Sequence, residues 1–223
     1  MPGVARSAVV GSVVVLVALT GSAAWAQPRE LPARIVTLGG PAELYKKGTP
    51  TWTSAALRAE VSEGDSVRTQ TGGRVTLKTG SGQALRLGSR SQVALPPAVE
   101  GAPTRVRFDY GWLWVAALPA GGAGQVEVRA GPVVIIPREG GVGIRRNQDG
   151  SLLVQVHHGT ALCAGAERQW EQTLNAQQQL LVPASGSPGP PARLVVDPVE
   201  ATWVRWNADQ DFAGGYGGQK SGP

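Results

Sequence analysis

Between residues 63 and 95 the chain reads EGDSVRTQTGGRVTLKTGSGQALRLGSRSQVAL, and apolar and polar positions alternate there in three short runs. The runs cover residues 67–70, 74–78 and 84–87, with Gly72-Gly73 and Gly80-Ser81-Gly82 between them. A period of two bounded by glycines predicts half-buried strands joined by tight hairpins. In the middle run Val75 and Leu77 fall on one face, and Arg74, Thr76 and Lys78 on the other. An apolar face of this kind needs a second layer packed against it.

The same pattern recurs along most of the chain. It predicts further strands at residues 34–38, 42–45, 93–97, 104–108, 112–118, 125–129, 133–136, 142–146, 152–157, 160–164 and 177–182. Asp149-Gly150 is a strong hairpin signal between two of them. The expected fold is all-β over residues 34–182, many short strands in stacked hairpins, arranged as a sandwich or a solenoid-like stack. Residues 183–194, PASGSPGPPARL, read as a Pro/Gly-rich linker unable to hold a ladder. One short amphipathic helix is expected over 195–212, with Asp197 as N-cap, Pro198 as first helical residue and Glu200 closing a capping box. Val199, Trp203 and Trp206 then share a face. The Gly-rich tail 213–223 is expected to be disordered.

The N-terminus changes the picture of where the protein works. Arg6 precedes an apolar run at residues 8–19, and Ala24-Trp25-Ala26 is an A-x-A cleavage pattern. Residues 1–26 therefore read as a cleaved signal peptide, which implies a periplasmic or extracellular protein with no transmembrane segment after cleavage. The formal net charge is +5, and arginine is dispersed among the strands rather than clustered. That distribution, without stacking motifs, argues against a nucleic-acid partner. Cys163 is the only cysteine, so no internal disulfide forms, and its apolar neighbours predict a buried thiol.

At this level the chain resembles the FecR-domain proteins of bacterial envelopes. The resemblance starts at Gly64-Asp65-Ser66-Val67-Arg68-Thr69 and continues through the strands at 74–95. Residues 108–115 (FDYGWLWV), 126–129, 149–159 and 175–182 are similar to later parts of the family pattern. The segment 140–144, GGVGI, departs from it. The resemblance covers roughly residues 35–182 and implies the β fold and an envelope location. The better-known members add a cytoplasmic domain and a membrane helix, which these residues lack, and on that ground the resemblance argues against anti-sigma regulation. Gly64, Asp65, Thr69, Asp149 and Gly150 stand as structural motif residues.

Chemistry is sparse. Asp65 in its Gly-Asp turn is expected to satisfy nearby backbone amides. His157 and His158, adjacent on a strand, are expected to face opposite sides and so not to share a metal. No nucleophile elbow or phosphate loop appears, so no catalytic residue, cofactor or metal is expected. Trp112 and Trp114 share one strand face, either filling the core or forming a stacking platform. Trp203 and Trp206 either dock on the β domain or bind a partner. These four tryptophans are the candidate partner-binding residues. The expected function is a non-catalytic binding or assembly module of the envelope, with an envelope protein or a polysaccharide as partner. The alternative is a soluble periplasmic signal-transduction component relaying to a membrane regulator.

Overall fold

The computed structural model describes residues 33–97, 103–119 and 125–217. The expected signal peptide, residues 98–102, residues 120–124 and the end of the tail lie outside these residues. The described residues are all-β with one helix. Fifteen strands form one hydrogen-bonded network: β1 Ala33–Gly39, β2 Ala42–Tyr45, β3 Trp52–Ser54, β4 Glu60–Val61, β5 Ser66–Thr69, β6 Arg74–Thr79, β7 Ala84–Leu87 and β8 Gln92–Ala94 come first. They are followed by β9 Thr104–Ala117, β10 Val126–Ala130, β11 Val133–Arg146, β12 Leu152–Gly165, β13 Glu171–Asn175, β14 Gln178–Val182 and β15 Ala192–Arg193. Helix α1, Ala201–Gly214, follows β15.

The glycines that punctuate the sequence do two different jobs. Gly80-Ser81-Gly82 and Asp149-Gly150 make the expected hairpins, β6–β7 and β11–β12. Gly72-Gly73 does not: β5 pairs with β2 and β8, while β6 pairs with β1 and β7. The antiparallel ribbon β1–β6 bends at Gly40 and Gly72-Gly73 and continues as β2–β5, held at the bend by Gln70 N–H donating to Pro41 O at 3.0 Å. In the same way, three pairs of expected strands prove to be single 14-residue strands, β9, β11 and β12. A bend, not a break, stands at the middle of each. The amino-terminal half of β11 pairs with β10 and the carboxy-terminal half with β9, and β12 runs beside it throughout.

The bend of β11 against β12 rests on Gly140 and Gly159, at φ +85 and +82. A Cβ on Gly140 would run into the His158 carbonyl, and one on Gly159 into the Glu139 carbonyl. Only glycine takes both the left-handed conformation and the close approach.

Bending lets both halves of each long strand turn their apolar positions inward. One core results, including Leu77, Leu85, Leu113, Val115, Ile144, Val154 and Leu180 from one half and Val67, Phe108, Val128, Ile135, Cys163 and Leu174 from the other. Cys163 is fully buried, and desolvation pushes its thiol up to about 12. Asp65 is 2% exposed and accepts from Lys46 Nζ (2.8 Å), Lys47 N–H (2.9 Å) and Ser62 N–H (2.8 Å). Burial opposes its ionisation, but these hydrogen bonds outweigh it and hold the carboxyl below the usual value. Thr69 is buried too; its hydroxyl donates to Gly88 O at 2.5 Å and accepts from Ser91 N–H at 2.9 Å, which fixes the 88–91 turn.

The segment 183–194 is tied down rather than free. Ala192–Arg193 adds to the edge of β14, while Gly186 O and Gly189 O accept from Trp170 and Gln172. Proline blocks a ladder only where it stands, and Ala192–Arg193 is proline-free.

Replacing Gly140 by alanine is expected to cost about 3 kcal/mol or more of unfolding free energy in urea titrations. Alanine at Gly189, where a Cβ would meet nothing within 4 Å, is expected to stay within about 0.5 kcal/mol of the parent.

Candidate functional site

With Leu113, Val115, Val142, Ile144, Val154 and Val156 turned into the core, the alternate positions of the same strands form an outer face. Register aligns Arg86 with Trp114, Trp114 with Gly143, and Gly143 with Gln155 across that face. Helix α1 lies on it. The helix starts later than the sequence suggests. Asp197 accepts from Val199 N–H at 2.9 Å and caps a turn, Glu200 is the N-cap, and no capping box forms. Val199 thus lies outside the helix at 88% exposure, so the expected Val199–Trp203–Trp206 face does not exist.

The face that docks carries Glu200, Trp203, Val204, Asn207 and Asp211, spaced at three to four residues and largely polar. Its centre is Asp211, with no solvent exposure. One carboxylate oxygen accepts from Arg86 at 2.5 Å, and the other from Trp114 Nε1 at 2.9 Å and His158 Nε2 at 3.0 Å. A carboxylate can only accept, so His158 carries its proton on Nε2. Arg86 is itself 3% exposed, and its guanidinium also lies 3.5 Å from Asn207 O. Gly141 makes room: a Cβ there would stand 2.5 Å from Asp211 Oδ2, 2.6 Å from His158 Nε2 and 2.7 Å from Trp114. The GGVGI departure noted in the sequence therefore lies under this helix.

The two histidines face the same side. A bulge between Gly141 and Val142 puts His157 and His158 opposite a single step of β11, which breaks strict alternation. His157 packs against Trp114 with ring centroids 4.6 Å apart and the rings tilted by 31°. Burial, with the neighbouring His158, drives the His157 pKa down to about 4, despite the opposing pull of Asp211. Among the described residues no three or more His, Cys, Asp or Glu stand where they could hold a metal.

Both helix ends are anchored. Glu200, 2% exposed, pairs with Arg145, whose guanidinium lies 5.2 Å from the Trp112 ring centroid. Burial raises the Glu200 carboxyl pKa, with Arg145 opposing. At the other end Gly215 takes a left-handed cap, and Tyr216 folds back to donate to Gly82 O at 2.7 Å. Tyr216 is buried, so the order of the chain extends through this part of the expected disordered tail.

Of the four candidate tryptophans, Trp114 is sealed beneath the helix, on the outer face rather than in the main core. Trp112, Trp203 and Trp206 stay half-buried along the seam. Trp203 and Trp206 stack at 5.4 Å, and Arg74 lies 5.7 Å from the Trp206 centroid. Beneath the helix only about 10 Å³ is left beside Trp114 and His157, room for at most one water. At the outer seam a cleft of about 230 Å³ opens between Arg74, Ser89, Trp112, Val199 and Trp203. Hydrophobicity-led reading missed Arg86, Asp211 and Asn207, and gave Glu200 a capping role in place of its pairing with Arg145. The available signal was polar: Trp203, Asn207 and Asp211 recur every four residues, and Arg86 sits inside an apolar strand.

Residues 65–162 match the FecR protein family. Two crystal structures of a candidate anti-sigma factor from Parabacteroides distasonis share the fold, each with a TM-score of 0.51, at 15% and 14% identity. The chain covers 64% of the length of each, and 64% of this chain is covered in return. Among curated proteins none matches. No helix among the described residues is long and apolar enough to cross a membrane.

Asp211→Ala leaves Arg86 buried without its carboxylate, and should cost about 3–5 kcal/mol of helix docking. The readouts are protease cleavage within α1 and a red shift of tryptophan emission. His157 gives a pH signature. An unfolded histidine takes up a proton below about 6.5, while the folded one stays neutral until about 4, so stability falls as pH drops through that window. Glu200, with its raised pKa, works in the opposite direction near the bottom of the window. Thermal melts of His157→Gln should therefore show a shallower loss from pH 6.5 to 4 than the parent.

Proposed function

We propose, from the match of residues 65–162 to the FecR protein family, that this chain is a non-catalytic recognition domain of envelope signal transduction, exported and relaying to a membrane partner. One observation carries the reading. A short helix is held over the outer sheet face by a few buried polar contacts, and its tryptophans are left half-exposed along the seam. Docking of this kind can respond to a partner, because losing one contact exposes costly groups at the others. A packed enzyme site would need convergent acids or a nucleophile with its base. The buried carboxylates Asp65, Asp211 and Glu200 are each paired with a cation, Lys46, Arg86 and Arg145 respectively.

The family match and the fold shared with candidate anti-sigma factors favour a relay over a purely assembling module. The partner is an envelope protein meeting the Trp112–Trp203–Trp206 seam. Half-exposed tryptophans beside arginine are the residue types that dominate binding energy at such surfaces.

The test is photo-crosslinking in intact cells from a probe placed at Val199, comparing the parent with a Trp203→Ala/Trp206→Ala variant shown to be folded. A membrane-associated protein captured by the parent and lost in the variant supports the reading. An unchanged set of captured proteins, or none in either case, contradicts it.

A further inference from the structure

The cleft at the seam has more chemistry than a protein-docking surface requires. Its floor is Gly88, where a Cβ would stand 3.0 Å from Trp112 Cβ and 3.6 Å from the Trp203 ring, so the two indoles converge over a backbone without a side chain. The 88–91 turn is rigid, held by the buried Thr69 hydroxyl and by Trp112 N–H donating to Ser91 Oγ at 2.8 Å. Arg74 is exposed at the rim, with its guanidinium 5.7 Å from the Trp206 ring centroid. Ser89 Oγ accepts from Gly72 N–H at 3.0 Å and keeps its own proton to donate. In the wall, Glu200 is 2% exposed, and its Oε2 has no hydrogen-bond partner.

We propose that this cleft binds an acidic carbohydrate, a sugar ring bearing a carboxylate. This deepens the recognition reading above and rests on it. The apolar C–H face of a pyranose complements the negative face of an indole, and two such rings converge here. Glu200 is neutralised by its pair with Arg145, so the unpaired charge at the cleft is that of Arg74, which suits a carboxylate more than a neutral sugar. Ser89 donates to a ring oxygen. A cleft of about 230 Å³ open to solvent fits one or two rings of a longer chain, not an enclosed small molecule.

The experiment is calorimetric titration of the full chain with three probes: a trigalacturonate, its methyl ester and an oligoglutamate peptide of equal charge. Saturable binding of the acid is expected, about tenfold tighter than the ester. Arg74→Gln should bring the acid down to the level of the ester. Arg138→Gln, which removes an exposed charge from another part of the surface, should leave it unchanged. No binding of the acid, equal binding of acid and ester, equal binding of the peptide, or an Arg74→Gln variant that binds like the parent overturns the proposal. Crosslinking to a protein partner without sugar binding removes this inference alone. Sugar binding without a protein partner removes the relay and keeps the cleft.

Discussion

A carboxylate with no exposure to solvent governs how this molecule is closed. Asp211 stands on the helix, and its three donors stand on three different strands: Arg86 on β7, Trp114 on β9 and His158 on β12. Desolvating such a charge is expensive, and the cost is offset only when every acceptor site is filled with good geometry. A 14-residue helix without a continuous apolar stripe has little stability of its own. Its position therefore depends on this cluster and on the Glu200–Arg145 pair at the other end.

The same requirement reaches into the sheet. Three strands must present Arg86, Trp114 and His158 at one level, which depends on the register of β7, β9, β11 and β12. The bulge at His157–His158 turns a second imidazole to the helix side, and Gly141 keeps the space under Asp211 clear. Bending at Gly140 and Gly159 lets the long strands fill the core with one set of positions while the alternate set receives the helix. Stability, placement of the helix and formation of the cleft are in this way consequences of one arrangement. The proposed recognition belongs to the rim, where Trp112 from the sheet and Trp203 from the helix meet only while the helix is docked.

Much of the fold was legible because it rests on local alternation. The runs at 67–70, 74–78 and 84–87, the Asp149-Gly150 hairpin and the structural role of Asp65 all follow from period and turn chemistry. What the period could not convey was whether a glycine ends a strand or bends it. At Gly72-Gly73, Gly111, Gly140 and Gly159 the ladder continues with a new partner, and partner choice is a property of the whole sheet. The site was less legible. A search for apolar spacing selects Val199, Trp203 and Trp206, whereas the docking surface is made largely of polar residues that become costly to expose only once paired. His157 and His158 were misassigned because a bulge cannot be read from two adjacent residues.

The most direct test of the account is amide hydrogen exchange of the full chain at neutral pH. If Asp211 fastens the helix, the amides of Ala201–Gly214 should be protected far beyond a free helix of that length, and should lose that protection in Asp211→Asn while β6, β11 and β12 keep theirs. Exchange of α1 at free-peptide rates in the parent chain, with the sheet still protected, would contradict the docked helix and the seam it creates.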